Sequence, residues 1–164
     1  MKNLFEKIDI HRILKYALFM LLSLILQNMV LSHIRPLGVC PMILPAAAVA
    51  VGMFEGGTWG PIFGLIMGIL ADMAFVEHTV FFTLLLPILA FVSAFVSQFF
   101  INRRFFAFMG VTLIALFVTA VLQMLKTLAG DVWSGYMLST VILQTLWSLP
   151  LSAAAYFPPA KWIK

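Results

Sequence analysis

Asp72 is the residue in this 164-residue chain whose setting most needs a chemical explanation. It closes a series at a spacing of four, Gly56, Gly60, Gly64, Gly68 and Asp72, inside the stretch EGGTWGPIFGLIMGILADMAFVE from Glu55 to Glu77. Residues four apart in a helix lie on neighbouring turns, so the series draws a narrow strip without side chains that ends in one carboxylate. Between the glycines stand Ile62, Phe63, Leu65, Ile66, Met67, Ile69 and Leu70, all large and apolar. Such a segment is a membrane helix that another helix can approach closely, with Gly60, Gly64, Gly68 and Asp72 as a packing or partner groove. A carboxylate at membrane depth is costly and implies a partner or a task. Three partners are open for Asp72: a base, from Lys126 or another protein; the side-chain amides of Asn28, Gln123 or Gln144; or a ligand.

Other polar residues gather at one level of the apolar runs. Gln27 and Asn28 on the first run, Asp72 on the third, Gln123 on the fifth and Gln144 on the sixth all fall toward the outer half. Backbone groups in a membrane helix are already paired, so these side chains must find one another, water or a ligand. They form either an interhelical hydrogen-bond cluster or an outward-facing pocket or partner site. No catalytic set accompanies them. Ser93, Ser97, Ser148 and Ser152 have no base and orienting group nearby in sequence. The adjacent pair Glu77–His78 is not a metal-ligand set, and His11 and His33 are isolated. Asp131, the second acid that an intramembrane aspartyl protease would need, falls in an outer loop. The single cysteine, Cys40, excludes a disulfide framework. The glycine spacing is a helix-packing period and not a phosphate-binding loop. The expectation is a protein that is not an enzyme, with no cofactor, no metal and no small-molecule substrate.

The elements that must position these residues follow from composition. The chain is 63% hydrophobic and 10% charged, with a mean hydropathy of +1.10, whereas soluble domains carry roughly 25% charged residues. Its net charge of +4 does not point to nucleic acid, because the basic residues form no patch with interleaved aromatics. Six runs approach the ~20 residues that span a bilayer: Tyr16–Ile34, Val39–Phe54, Thr58–Val76, Thr79–Ile101, Phe105–Leu125 and Tyr136–Phe157. The fold expected is an all-α integral membrane protein, a compact bundle of six transmembrane helices. Residues 1–15 form an interfacial lead, 16–157 the membrane domain and 158–164 a short basic tail. With the N-terminus inside, Lys2, Lys7, Arg12, Lys15, Arg103, Arg104, Lys161 and Lys164 are cytoplasmic, and only Arg35 and Lys126 are outside. That bias places both termini in the cytoplasm. No small-residue cleavage site follows the first run, which reads as a retained anchor. Pro41 and Pro61 are expected in the first turns of their helices, and Pro87 and Pro150 inside helices. Trp59, Trp133 and Trp162 fall at interfaces, and Trp147 is expected to be buried.

One family shares this layout. A basic N-terminus and a first span are followed by Arg35–Pro36, Pro41 opening the second span, and an EGxxxGxxxGLxxGxLxD-like stretch from Glu55 to Asp72. Over residues 35–76 the chain resembles the rod shape-determining protein MreD family of bacterial inner membranes. Gly64, Gly68 and Asp72 match that family's most recognisable positions, and Pro41 matches the proline before its second span. The resemblance implies a multi-pass protein of the bacterial cytoplasmic (inner) membrane, partnered by an MreC-like protein and other elongation-complex proteins in rod-shape maintenance and peptidoglycan synthesis. An alternative is the substrate-binding membrane subunit (S component) of an energy-coupling-factor vitamin transporter, also small, apolar and six-spanning. The AxxxA docking face of those subunits is missing from the first span, although Ala46 and Ala50 have that spacing on the second.

Overall fold

The apolar runs form six α-helices among the described residues: α1 (Ile10–Ile25), continued by a π-helical stretch (Leu26–Leu31), then α2 (Leu44–Glu55), α3 (Trp59–Ala74), α4 (Phe81–Phe99), α5 (Phe105–Leu128) and α6 (Met137–Trp162). The computed structural model describes residues 10–34, 38–56, 58–74, 80–99, 105–128 and 136–162, and none of these is in a strand. Four windows are long and apolar enough to cross a membrane, Leu14–Leu31, Phe81–Gln98, Phe105–Leu125 and Leu138–Pro159. The chain therefore has the all-α architecture of a multi-pass membrane protein. The other two helices are shorter. With 12 and 16 residues, α2 and α3 reach about 18 and 24 Å at 1.5 Å per residue, against ~30 Å of hydrocarbon.

The centre of the bundle is α2, not the glycine-rich α3. Every residue from Leu44 to Phe54 is buried, and the helix packs against α1, α3, α4, α5 and α6. A helix enclosed on all sides needs no polar face, and Ala46, Ala47, Ala48, Ala50 and Gly52 keep it thin enough for neighbours to close around it. It also begins later than its apolar run suggests. Residues 39–43 are not helical, so Pro41 lies outside the helix, and Pro45 takes the first-turn place expected for it. Pro61, two residues into α3, is where the sequence puts it.

The first helix is held along one stripe. Phe19, Ser23, Gln27 and Leu31 are all buried, at a strict spacing of four. Each step of four in an α-helix overshoots a full turn by about 40°, so three steps would carry the stripe well around the helix. The π-helical stretch from Leu26 has wider turns, closed by the bond from Ser32 N–H to Gln27 O, and returns part of that rotation. Gln27 and Leu31 stay against the bundle. On the other side Leu14, Leu18, Leu21, Leu22, Ile25 and Met29 are exposed.

Three expectations change at the margins. Residues 10–15 belong to α1, continuous with the span, and are not a separate surface helix. The tail is helical as far as Trp162, through Pro150, Pro158 and Pro159. Trp147 is 44% exposed and so is not core packing. The expectations for Lys2, Lys7, Arg35, Glu77, His78, Arg103, Arg104, Asp131, Trp133 and Lys164 lie outside the described residues, as do the side chains of His11, Arg12, Lys126, Lys161 and Trp162.

Candidate functional site

Asp72 lies near the C-terminal end of α3 and is 8% exposed. Its carboxylate accepts hydrogen bonds from Phe82 N–H (3.1 Å), Thr83 N–H (2.7 Å) and the Thr83 hydroxyl (2.7 Å). Phe82 and Thr83 are the second and third residues of α4, whose first-turn N–H groups have no partner within their own helix. A helix normally solves this with a Ser, Thr, Asp or Asn just before its first turn. Here Val80 stands in that place, as the acceptor for Leu84 N–H, and its side chain accepts nothing. Asp72 supplies the missing cap from the preceding helix, with its charge at the positive end of the α4 dipole. Its partners are backbone and hydroxyl groups of α4, not the side-chain amides of Asn28, Gln123 or Gln144; the pairing with Lys126 lies outside the described residues.

The glycine strip leads to the same joint. Gly60, Gly64 and Gly68 are buried and face atoms of α2 and α4. A Cβ at Gly64 would stand 2.8 Å from Leu86 O, and one at Gly68 2.7 Å from Thr83 Cα. At Gly60 it would meet Gly52 Cα at 2.7 Å. Real Cβ contacts are not that short, so α4 lies on α3 backbone to backbone. The groove is thus filled by the chain's own α4. Gly56 is not its first rung: it ends α2 at φ +85°, a backbone shape that favours glycine. The rung missed in the sequence is Gly52, four residues earlier, whose Cβ would run into Ala90 O and the Ser93 hydroxyl. No helical period marks it as part of the series, because the chain leaves the helix at Gly56 and Gly52 belongs to α2. Ile62 and Ile66, assigned to other faces, are exposed.

Gln27 and Ser148, with Gln144 and Gln123 behind it, serve the non-helical run before α2. Buried backbone outside a helix must find partners among its neighbours. Gln27, 4% exposed, donates from Nε2 to Pro41 O (3.2 Å) and accepts at Oε1 from Ile43 N–H (2.9 Å). Between these, Met42 N–H donates to Ser148 Oγ (2.9 Å), which in turn donates to Gln144 O (2.7 Å). Gln144 Nε2 reaches Gln123 Oε1 at 3.4 Å. Gln27, Gln123 and Gln144 are therefore linked through the backbone of residues 41–43, Asp72 serves a different joint, and Asn28 enters through its carbonyl, which accepts from the Ser32 hydroxyl. The five do not converge on one pocket. Ser148 was passed over as a nucleophile without a base. Its spacing of four from Gln144 was the signal of a shared face.

At the opposite end of α2, the Tyr16 hydroxyl donates to Glu55 Oε1, and the Ser97 hydroxyl donates to Met53 O (3.0 Å). These bonds fasten α1 and α4 to the last turn of the central helix. Among the described residues no group of three or more His, Cys, Asp and Glu is placed to hold a metal. No protein-family model, curated protein or solved structure matches this chain.

Proposed function

We propose that this chain is a non-enzymatic scaffold of the bacterial cytoplasmic membrane that resembles MreD, with both termini in the cytoplasm and an MreC-like protein as partner in the cell-elongation machinery. The observation that carries this reading is what the resembling residues do. Gly64, Gly68 and Asp72 join α3 to α4 by close backbone packing and a carboxylate cap, which fixes the pair as one rigid unit. The opposite face of α3 presents Ile62, Leu65, Ile66, Ile69 and Met73, each at least 41% exposed. A rigid helix pair with an apolar outer ridge is suited to hold a partner's membrane helix. The partner surface proposed is that ridge, since the glycine groove is occupied.

The test is affinity purification of the full chain from native membranes, with wild type beside an Ile66→Trp variant. Recovery of an MreC-like protein with the wild type, reduced by Ile66→Trp at equal abundance, is expected. Normal cell shape after deletion, with no such protein recovered, would count against the reading. A second reading, the vitamin-transporter S component, is favoured by the broken second segment, because discontinuous helices often border transport sites. Loss of vitamin uptake on deletion, without a shape defect, would select it.

A further inference from the structure

A cavity of about 300 Å³ lies between α1 and α6, with Lys15, Leu22, Ser23, Ile43, Ala154 and Pro158 among its walls. It exists because α1 touches the bundle along one stripe, while α6 offers it small or flat side chains there. Its walls make almost no polar demand. The Ser23 hydroxyl donates to Phe19 O and Met20 O of its own helix (2.6 and 3.1 Å). Among the described residues that line the groove Lys15 alone is charged, and it stands at the end where α1 begins.

We infer that this groove holds one acyl chain of an anionic membrane lipid, whose headgroup phosphate sits on Lys15. The dimensions decide between a chain and a helix. From Lys15 to Leu26, the two ends of the α1 wall, eleven residues rise about 16 Å, close to one leaflet of a ~30 Å hydrocarbon layer. A helix about 10 Å wide over that length would occupy on the order of 1,200 Å³, more than the roughly 740 Å³ of open space between the walls. An extended hydrocarbon chain is thin enough to enter. Leu18 and Leu22, two of its walls, are 60% and 57% exposed, so the groove opens on surface of the kind that faces lipid. Charge sets the class of headgroup: one basic side chain near the surface favours an anionic lipid by about 1 kcal/mol, or about fivefold.

The experiment uses the full chain purified in mild detergent and native mass spectrometry, with phosphatidylglycerol or phosphatidylethanolamine added. One retained phosphatidylglycerol per chain is expected, about fivefold preferred over phosphatidylethanolamine. Lys15→Gln, a change at an exposed position, should bring the two lipids to parity. Ala154→Phe, also at an exposed position, fills the groove and should cut retention of both at least tenfold while helical circular dichroism is unchanged. Unaltered lipid preference in Lys15→Gln overturns the inference, whether or not Ala154→Phe folds. So does unaltered retention in a folded Ala154→Phe, or a dimer in place of a lipid adduct.

Discussion

Replacing Asp72 tests whether a carboxylate on one helix caps the next. Asp72→Ala removes the acceptor of three hydrogen bonds at 2.7–3.1 Å and leaves Phe82 N–H and Thr83 N–H without it. Loss of an ordinary cap costs about 0.5–2 kcal/mol, and removal of the charge from the helix start roughly 0.3–1 more. Hydrogen bonds inside membranes average about 0.6 kcal/mol each, which gives a similar total. The expected loss for Asp72→Ala is about 1–3 kcal/mol. Asp72→Asn keeps one carbonyl oxygen, enough for Thr83 N–H, but turns an NH₂ group toward the Phe82 N–H. It should cost about 1–2 kcal/mol. Thr83→Val removes only the hydroxyl bond, at roughly 0.5–1 kcal/mol. The assay is reversible unfolding of purified protein in mixed micelles as denaturing detergent is raised, with cellular abundance as the parallel readout. Asp72→Ala and Thr83→Val should be less than additive, because they share one bond. Wild-type stability of Asp72→Asn, or full additivity of the pair, would refute the cap. Normal abundance of Asp72→Asn together with lost rod shape would return the charge to an external partner.

Glycines divide by what they face. Gly64→Leu and Gly68→Ala should sharply lower folded protein, by about 1–3 kcal/mol or more, whereas Gly110→Ala, where a Cβ meets nothing within 4 Å, should be neutral or stabilising by up to about 1 kcal/mol; one micelle unfolding series compares all three. Gln27→Leu strands both Pro41 O and Ile43 N–H and should cost about 2–6 kcal/mol, at roughly 1–3 per unpaired buried group. Cys40, half-buried, should react with a membrane-impermeant maleimide added to intact spheroplasts; protection until lysis would reverse the proposed orientation.

What the sequence made legible depended on whether the governing interaction was periodic. The glycine series and the apolar runs are periodic, so the helices and the bare face of α3 could be located from spacing alone. The same spacing could not say which helix fills that face, because α4 of this chain and a helix of another protein offer the same chemistry to a row of glycines. Asp72 was recognised as a carboxylate in need of a partner, but its partners are backbone N–H groups, which every residue carries and no sequence pattern marks. The clue lay nine residues on, where α4 begins after Val80, whose side chain caps nothing. The centre of the fold carries no periodic mark for a related reason. A run that opens with five irregular residues before its helix carries no long signal, and α2, enclosed on every side, has no polar face to give it a period. Its position becomes intelligible only through the groups that make its irregular lead tolerable, the Gln27 amide and the Ser148 hydroxyl, which come from α1's extension and α6, 14 and 106 residues from the backbone atoms they serve. Gln27 and Ser148 therefore act as substitutes for water and for the missing helical bonds of residues 41–43. That assigns Gln27 the structural demand that the sequence had assigned to Asp72, and it makes Gln27→Leu, not Asp72→Asn, the substitution expected to disturb the central helix.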